Sequence, residues 1–223
     1  MNCIARIHND FHSKFGIPRQ SGLVSGMLST IVFEKPYRDP EALRGIEEYS
    51  HLWLIWQFSE AVREGFSPTV RPPRLGGNRR MGVFATRSPF RPNAIGLSSV
   101  KLIRVEHTDE AGTVLVVEGA DLMDGTPIWD IKPYIAYTDS HPDAIGGFSD
   151  AVRDYAVTVD FPKDLLDRIP ADKRVPLIAV LEQDPRPSYQ QDEQRIYGMT
   201  FGAWEIRFRV RDGVLTVTQV EEV

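Results

Sequence analysis

The sequence predicts a mainly β protein, an all-β sandwich or barrel followed by a smaller C-terminal α+β domain, on three observations. Short β-branched and aromatic runs recur at 3–8, 28–33, 51–58, 82–86, 97–105, 113–118 and 128–137. Gly, Pro and Asn clusters separate them, as in sandwiches and barrels. The pattern then changes after a composition break at 140–154 that carries His141-Pro142-Asp143 and Gly146-Gly147. One short helix is expected at 39–46, because Asp39 can cap it, Pro40 suits its first position and Glu41 favours its positive end. Beyond the break, 157–161 reads as a strand, 162–169 as a short helix and 203–220 as a hairpin. In that hairpin Trp204, Ile206, Phe208 and Val210 alternate with Glu205, Arg207 and Arg209, and Arg211-Asp212-Gly213 makes the turn. The expected domains are therefore 1–145 and 150–223.

Composition sets the broad class. The 223 residues are 42% hydrophobic and 26% charged, ordinary for a chain with a full core. No apolar stretch approaches the roughly 18 to 20 residues of a membrane-spanning helix. The N-terminus lacks a signal-peptide pattern, and a single cysteine, Cys3, excludes an internal disulfide, so a cytoplasmic protein is expected. Net charge is −5, but residues 63–104 hold nine Lys or Arg against one acid, Glu64. That segment is +8 and the remainder −13. A local basic surface on an acidic protein suits a phosphate-rich partner, although internal pairing with surplus carboxylates also satisfies arginines.

Several chemistries are excluded. There is no G-x-G-x-x-G between a strand and a helix, and no loop ending in Gly-Lys-Ser/Thr. The five histidines lack metal-ligand spacing and Cys3 has no partner cysteine, so no metal site is expected.

Four loop segments remain, each rich in residues with exacting backbone demands. They are residues 15–22, 70–97, 124–134 and 184–189. Pro restricts φ and Gly opens positive φ, so such loops keep a set shape. Arginines on them offer planar forks to carboxylate or phosphate.

The long string at 70–97 (Val70-Arg71-Pro72-Pro73-Arg74-Leu75-Gly76-Gly77-Asn78-Arg79-Arg80 and onward through Arg87-Ser88-Pro89-Phe90-Arg91-Pro92-Asn93), with Arg19-Gln20, Tyr49-Ser50-His51-Leu52-Trp53 and Asp124-Gly125-Thr126-Pro127 leading to Asp130-Ile131-Lys132-Pro133-Tyr134, closely resembles the TsaA-like family. The resemblance extends into the C-terminal part through Asp184-Pro185-Arg186-Pro187 and Tyr197-Gly198. It implies a single-sheeted β-barrel that binds S-adenosylmethionine (SAM) without a Rossmann domain, as a homodimer. It also implies a tRNA methyltransferase acting on the N6 amine of threonylcarbamoyladenosine at position 37, in the anticodon loop. Carried onto matching positions, the SAM pocket comprises Pro18, Arg19, Gln20, Arg87, Leu97, Asp124, Gly125, Thr126 and Pro127. After the His51 strand, members carry His and a polar residue where this chain has Ser59 and Glu60.

On chemical grounds, an acceptor must take the N6 proton, for which Asp130 and Tyr134 are the candidates. Arg71, Arg74, Arg79, Arg80 and Arg91 are the expected tRNA contacts, with Arg91 or Arg79 suited to the threonyl carboxylate. Two rivals make different predictions. A non-catalytic RNA-binding barrel would not bind SAM, and a SAM-dependent enzyme of another substrate would leave tRNA unmodified.

Overall fold

The computed structural model describes residues 1–72, 75, 79–186 and 192–223. Alternation of apolar and polar residues builds the first sheet. β1 (Ala5–His8) pairs antiparallel with β2 (Leu28–Phe33), setting Ile7 opposite Ile31, both fully buried. β3 (His51–Gln57) points Leu52, Leu54 and Trp56 inward and Trp53 and Ile55 outward, the two-residue period of a strand with one buried face. A short ribbon of β4 (Thr69–Val70) and β5 (Met81–Gly82) follows. Then come the long β6 (Ile95–Thr108), β7 (Gly112–Glu118) and β8 (Pro127–Pro133). Six of these strands close into a barrel in the order β1-β2-β7-β6-β3-β8. Closure leaves no free edge, and Ala5, Val100, Leu115, Val117 and Ile128 complete the interior.

Past the barrel, α1 (Ala136–Asp139) leads to β9 (Thr158–Asp160), α2 (Lys163–Leu166) and α3 (Ala171–Glu182). β10 (Tyr197–Phe201), β11 (Trp204–Arg211) and β12 (Val214–Glu222) complete a second sheet of order β10-β11-β12-β9. Asp212 and Gly213 take positive φ at the β11–β12 turn, as a two-residue hairpin with right-handed twist requires. Leu177, Val180 and Leu181 of α3 pack on Ile206, Phe208, Leu215 and Val217. Phe11, Val24 and Met27, from the β1–β2 connection, are buried in this same second core. Burying a side chain of that size stabilises by roughly 1.5–3 kcal/mol, so residues 9–27 are anchored to the second core as well as to the barrel strands they connect.

Several sequence expectations need correction. The helix expected at 39–46 is two 3-10 turns, Pro40–Leu43 and Ile46–Glu48, interrupted by Gly45 at φ +84°. The cap survives: the Glu41 N–H donates to Asp39 Oδ1 at 3.0 Å. The strand expected at 82–86 is a 3-10 turn over Val83–Ala85 after two strand residues. The strand expected to reach Tyr137 stops at Pro133; Tyr134 still donates to the His51 carbonyl at 2.9 Å, but the Ile135 N–H turns to Asp139 Oδ2 as a helical turn begins. α3 has no counterpart in the sequence reading, because Pro176 lies inside it and proline ordinarily breaks a helix.

Candidate functional site

Barrel topology gathers the loops at one mouth. The C-terminal ends of β1, β3 and β7 and the N-terminal ends of β2, β6 and β8 share that end, as Gln57 opposite Ile95, Leu28 opposite Glu118 and Arg6 opposite Pro127 establish. From it emerge residues 9–27, 58–94 and 119–126, the three connections that hold nearly every residue expected to bind SAM.

Contacts tie these connections together. Arg87 Nη1 donates to Gln20 Oε1, joining the long excursion to the first loop. Lys14 donates to the Glu60 carbonyl at 3.0 Å, placing the Ser59–Ala61 turn against the same loop. Pro18 is buried, and Arg19 Nη2 donates to the Asp184 carbonyl at 2.8 Å. Arg19 Nη1 is buried with no hydrogen-bond partner among the described residues. In the third loop, the Asn9 N–H donates to Asp124 Oδ1 at 3.1 Å, and His8 and His12 Nδ1 lie 3.3 and 3.6 Å from its two oxygens. The Gly125 N–H donates to the Ile7 carbonyl, while its own carbonyl accepts from Arg6. Gly125 has φ +74°, which a side chain would strain. Thr126 and Pro127 are buried beneath it. Leu97 lies on β6 opposite Ile55, its side chain 58% exposed on the outer wall.

Asp130 and Tyr134 stand away from that mouth. A strand advances about 3.3 Å per residue, so they lie roughly 10 and 23 Å along β8 from Pro127. Asp130 pairs with Lys132 at 3.2 Å. At the far end the Tyr134 ring lies 5.3 Å from Trp53 and 6.1 Å from His51.

Arg71, Arg79 and Arg80 are exposed, and Arg74 lies outside the described residues. Arg91 is partly committed internally, its Nη1 donating to the Thr86 carbonyl at 2.6 Å and the Val83 carbonyl at 3.2 Å. It holds the Val83–Ala85 turn in shape.

The sequence reading passed over Asp121. Its Oδ1 accepts from Ser98 Oγ at 2.5 Å, and that oxygen accepts from Trp56 Nε1 at 3.0 Å. Burial pushes the Asp121 carboxyl above its ordinary range, against the opposing pull of Ser98 and of the Arg87 charge. The clue in sequence is an acid between two apolar residues, Ala120 and Leu122, directly after a strand. A carboxyl with a raised folded pKa contributes stability below its unfolded pKa and loses it as pH rises through the folded value. Asp121→Asn is therefore expected to gain stability relative to the wild type as pH rises above about 4, the unfolded value, and through the folded one. Urea midpoints measured across that range check it; a pH-independent difference would refute the assignment.

A closed barrel that gathers three connections at one mouth, two of them bearing arginines, with no dinucleotide-type glycine fingerprint, is a barrel whose candidate site is built from loops. Its family follows from comparison with known proteins. Residues 6–140 match the tRNA-methyltransferase O N-terminal domain and residues 155–223 match the TrmO C-terminal domain. An Escherichia coli protein named tRNA (adenine(37)-N6)-methyltransferase is 41% identical over 229 residues, covering 98% of this chain and 96% of that one. A Pseudomonas aeruginosa protein whose assigned name is an inferred S-adenosylmethionine-dependent methyltransferase is 41% identical over 211 residues, covering 91% and 88%. The crystal structure of TrmO from Pseudomonas aeruginosa superposes with TM-score 0.77 at 32% identity, covering 99% of this chain and 96% of that one. The chain belongs to the tRNA-methyltransferase O family.

Proposed function

We propose that this chain is a SAM-dependent tRNA methyltransferase that methylates the N6 amine of threonylcarbamoyladenosine at position 37. The observation that carries the reading is the convergence of Arg19, Gln20, Arg87 and the Asp124–Pro127 turn at one barrel mouth. Full-length similarity to named tRNA (adenine(37)-N6)-methyltransferases supports it.

The mouth fits SAM chemically. Arg19 Nη1, buried and unpartnered among the described residues, is a donor waiting for an acceptor such as the carboxylate of an amino-acid tail. The Asp124–Pro127 turn, pinned to β1 by the Gly125 bonds, offers fixed polar groups beside apolar surface. When bound, SAM supplies an electrophilic methyl group on a sulfonium. The chain's own contribution is alignment, which can supply several kcal/mol of barrier lowering, and acceptance of the N6 proton. Of the two acceptors expected from sequence, Asp130 is nearer the mouth than Tyr134.

Arg71, Arg74 and Arg80 take the phosphates of the anticodon stem-loop, and Arg79 takes the threonyl carboxylate, since Arg91 already serves two carbonyls. The protein works in the cytoplasm as a homodimer, with a SAM-binding barrel over 1–145 and a C-terminal domain over 150–223 that contributes to substrate choice. No helix among the described residues is long and apolar enough to cross a membrane.

The test is incubation of the purified chain with methyl-labelled SAM and tRNA that already carries threonylcarbamoyladenosine, followed by nucleoside mass spectrometry. Label is expected on that nucleoside alone. Label on plain adenosine would displace the threonylcarbamoyl substrate, and no label in tRNA would favour a non-catalytic barrel or another substrate.

A further inference from the structure

Three phenylalanines on the long excursion face solvent: Phe84 is 72% exposed, Phe66 54% and Phe90 41%. The Phe66 and Phe84 rings lie near parallel, 24° apart, with centroids separated by 6.0 Å. The Arg91 guanidinium carbon lies 5.9 Å from the Phe84 centroid, and that of Arg63 only 3.9 Å from the Phe90 centroid. Arg91 also bonds the carbonyls of Val83 and Thr86, which flank Phe84. Phe84 is thus displayed on a braced turn, with Phe66 stacked beside it.

We propose that Phe66, Phe84 and Phe90 form a stacking platform for unpaired RNA bases, those beside the target adenine in the anticodon loop. The proposal rests on the tRNA reading given above. Every base has a π face, so an exposed aromatic ring binds single strands without demanding a sequence. Arginines on the same surface meet the phosphates that accompany those bases, and the segment carrying the rings has nine basic residues against one acid. A second copy of the chain fits the patch poorly. A two-fold contact through the patch would bring arginines of the two copies together, and residues 63–104 offer only Glu64 to offset them.

The experiment compares the wild type, the Phe66→Ala/Phe84→Ala double variant and Phe84→Trp. The probes are a fluorescently labelled anticodon stem-loop RNA and a fully paired RNA duplex of equal length. The double variant is expected to bind the hairpin roughly tenfold more weakly or worse. Duplex affinity, the salt dependence of binding, SAM affinity and sedimentation should be unchanged, because no phosphate contact is lost. Phe84→Trp, which keeps a larger ring, should bind the hairpin at least as well as the wild type. Undiminished hairpin affinity in the double variant, an equal loss on the duplex, or a change in subunit number would each overturn the platform. If the wild type itself neither binds the hairpin nor methylates tRNA, the underlying reading fails. If it methylates tRNA and the double variant does so with the same KM and kcat, the platform alone is wrong.

Discussion

Asp184→Ala is expected to destabilise the protein by about 3–5 kcal/mol, the range for removing one partner of a buried ion pair. Asp184 is 5% exposed and lies at φ +49° between α3 and the chain leading to β10. Its carboxylate accepts from Arg186 Nε at 2.8 Å and Nη2 at 2.9 Å, and from the Tyr155 hydroxyl at 2.8 Å. Alanine would leave the Arg186 guanidinium buried without its anion and would strain a backbone that Asp or Asn tolerates better. In a chain of this size that corresponds to a fall of roughly 6–20 °C in melting temperature. Asp184→Asn, which tolerates the same φ, should lose less.

The pH dependence gives a second readout. Burial alone would raise the Asp184 carboxyl, but the hydrogen bonds from Arg186 and Tyr155 and the Arg186 charge outweigh it and hold the group below its ordinary 3.8. With the folded pKa below the unfolded one, the stabilisation is present above the unfolded value and lost as pH falls through the folded value. The gap between the wild type and Asp184→Ala should therefore narrow in acid. A variant within about 1 kcal/mol of the wild type at neutral pH would show that the cluster is ornamental.

The second large effect is expected at Gly96, where alanine should cost about 3 kcal/mol. A Cβ there would overlap the Trp56 indole, at 2.5 Å from Cδ2 and closer still to two further ring atoms. Trp56 cannot swing aside. It is buried, its Nε1 donates to Ser98 Oγ at 3.0 Å, and Phe58 packs on it edge-on with centroids 4.3 Å apart. Overpacking of a filled core costs typically about 1–3 kcal/mol, and breaking the Trp56–Ser98 bond adds roughly 1–3 more. Chemical denaturation measures the loss, and near-ultraviolet dichroism should report the displaced indole. Wild-type stability in Gly96→Ala would mean that the ring has room the structure does not show.

Barrel strands were legible in the sequence because short β-branched and aromatic runs stand between turn residues, as in His51–Gln57 and β7, and because a wall with one buried face imposes the two-residue period seen in β1. The β11–β12 hairpin was legible for the same reason, sharpened by its Asp212-Gly213 turn. α3 was hidden because Pro176 looks like a stop, yet its ring packs against Gly26, where tertiary contact outweighs propensity. β10 was hidden by Gly198, whose missing Cβ makes room for the Glu205 carboxylate. For the site, unusual loop composition exposed the segments but not their meeting place. That the connections of 9–27, 58–94 and 119–126 share one mouth depends on strand order, which only the closed barrel reveals. Asp130 and Tyr134 follow Pro127 closely in sequence, but an extended strand carries them down the wall. Phe66, Phe84 and Phe90 carried no signal of their own in the sequence, because exposure belongs to the fold, not to the residue.

The burial of Phe11, Val24 and Met27 beneath the second sheet also has a consequence in time. These residues flank Pro18, Arg19 and Gln20, and they leave the ribosome well before the strands that cover them, β10 to β12. At about 5–20 residues per second, some 10–40 s separate the two events. A nascent chain can close its barrel during that interval, but the loop bearing Arg19 has no apolar bed until β10 to β12 have emerged. The candidate mouth is thus completed only after those strands are made, and a product truncated before them would be a barrel with its entrance unset.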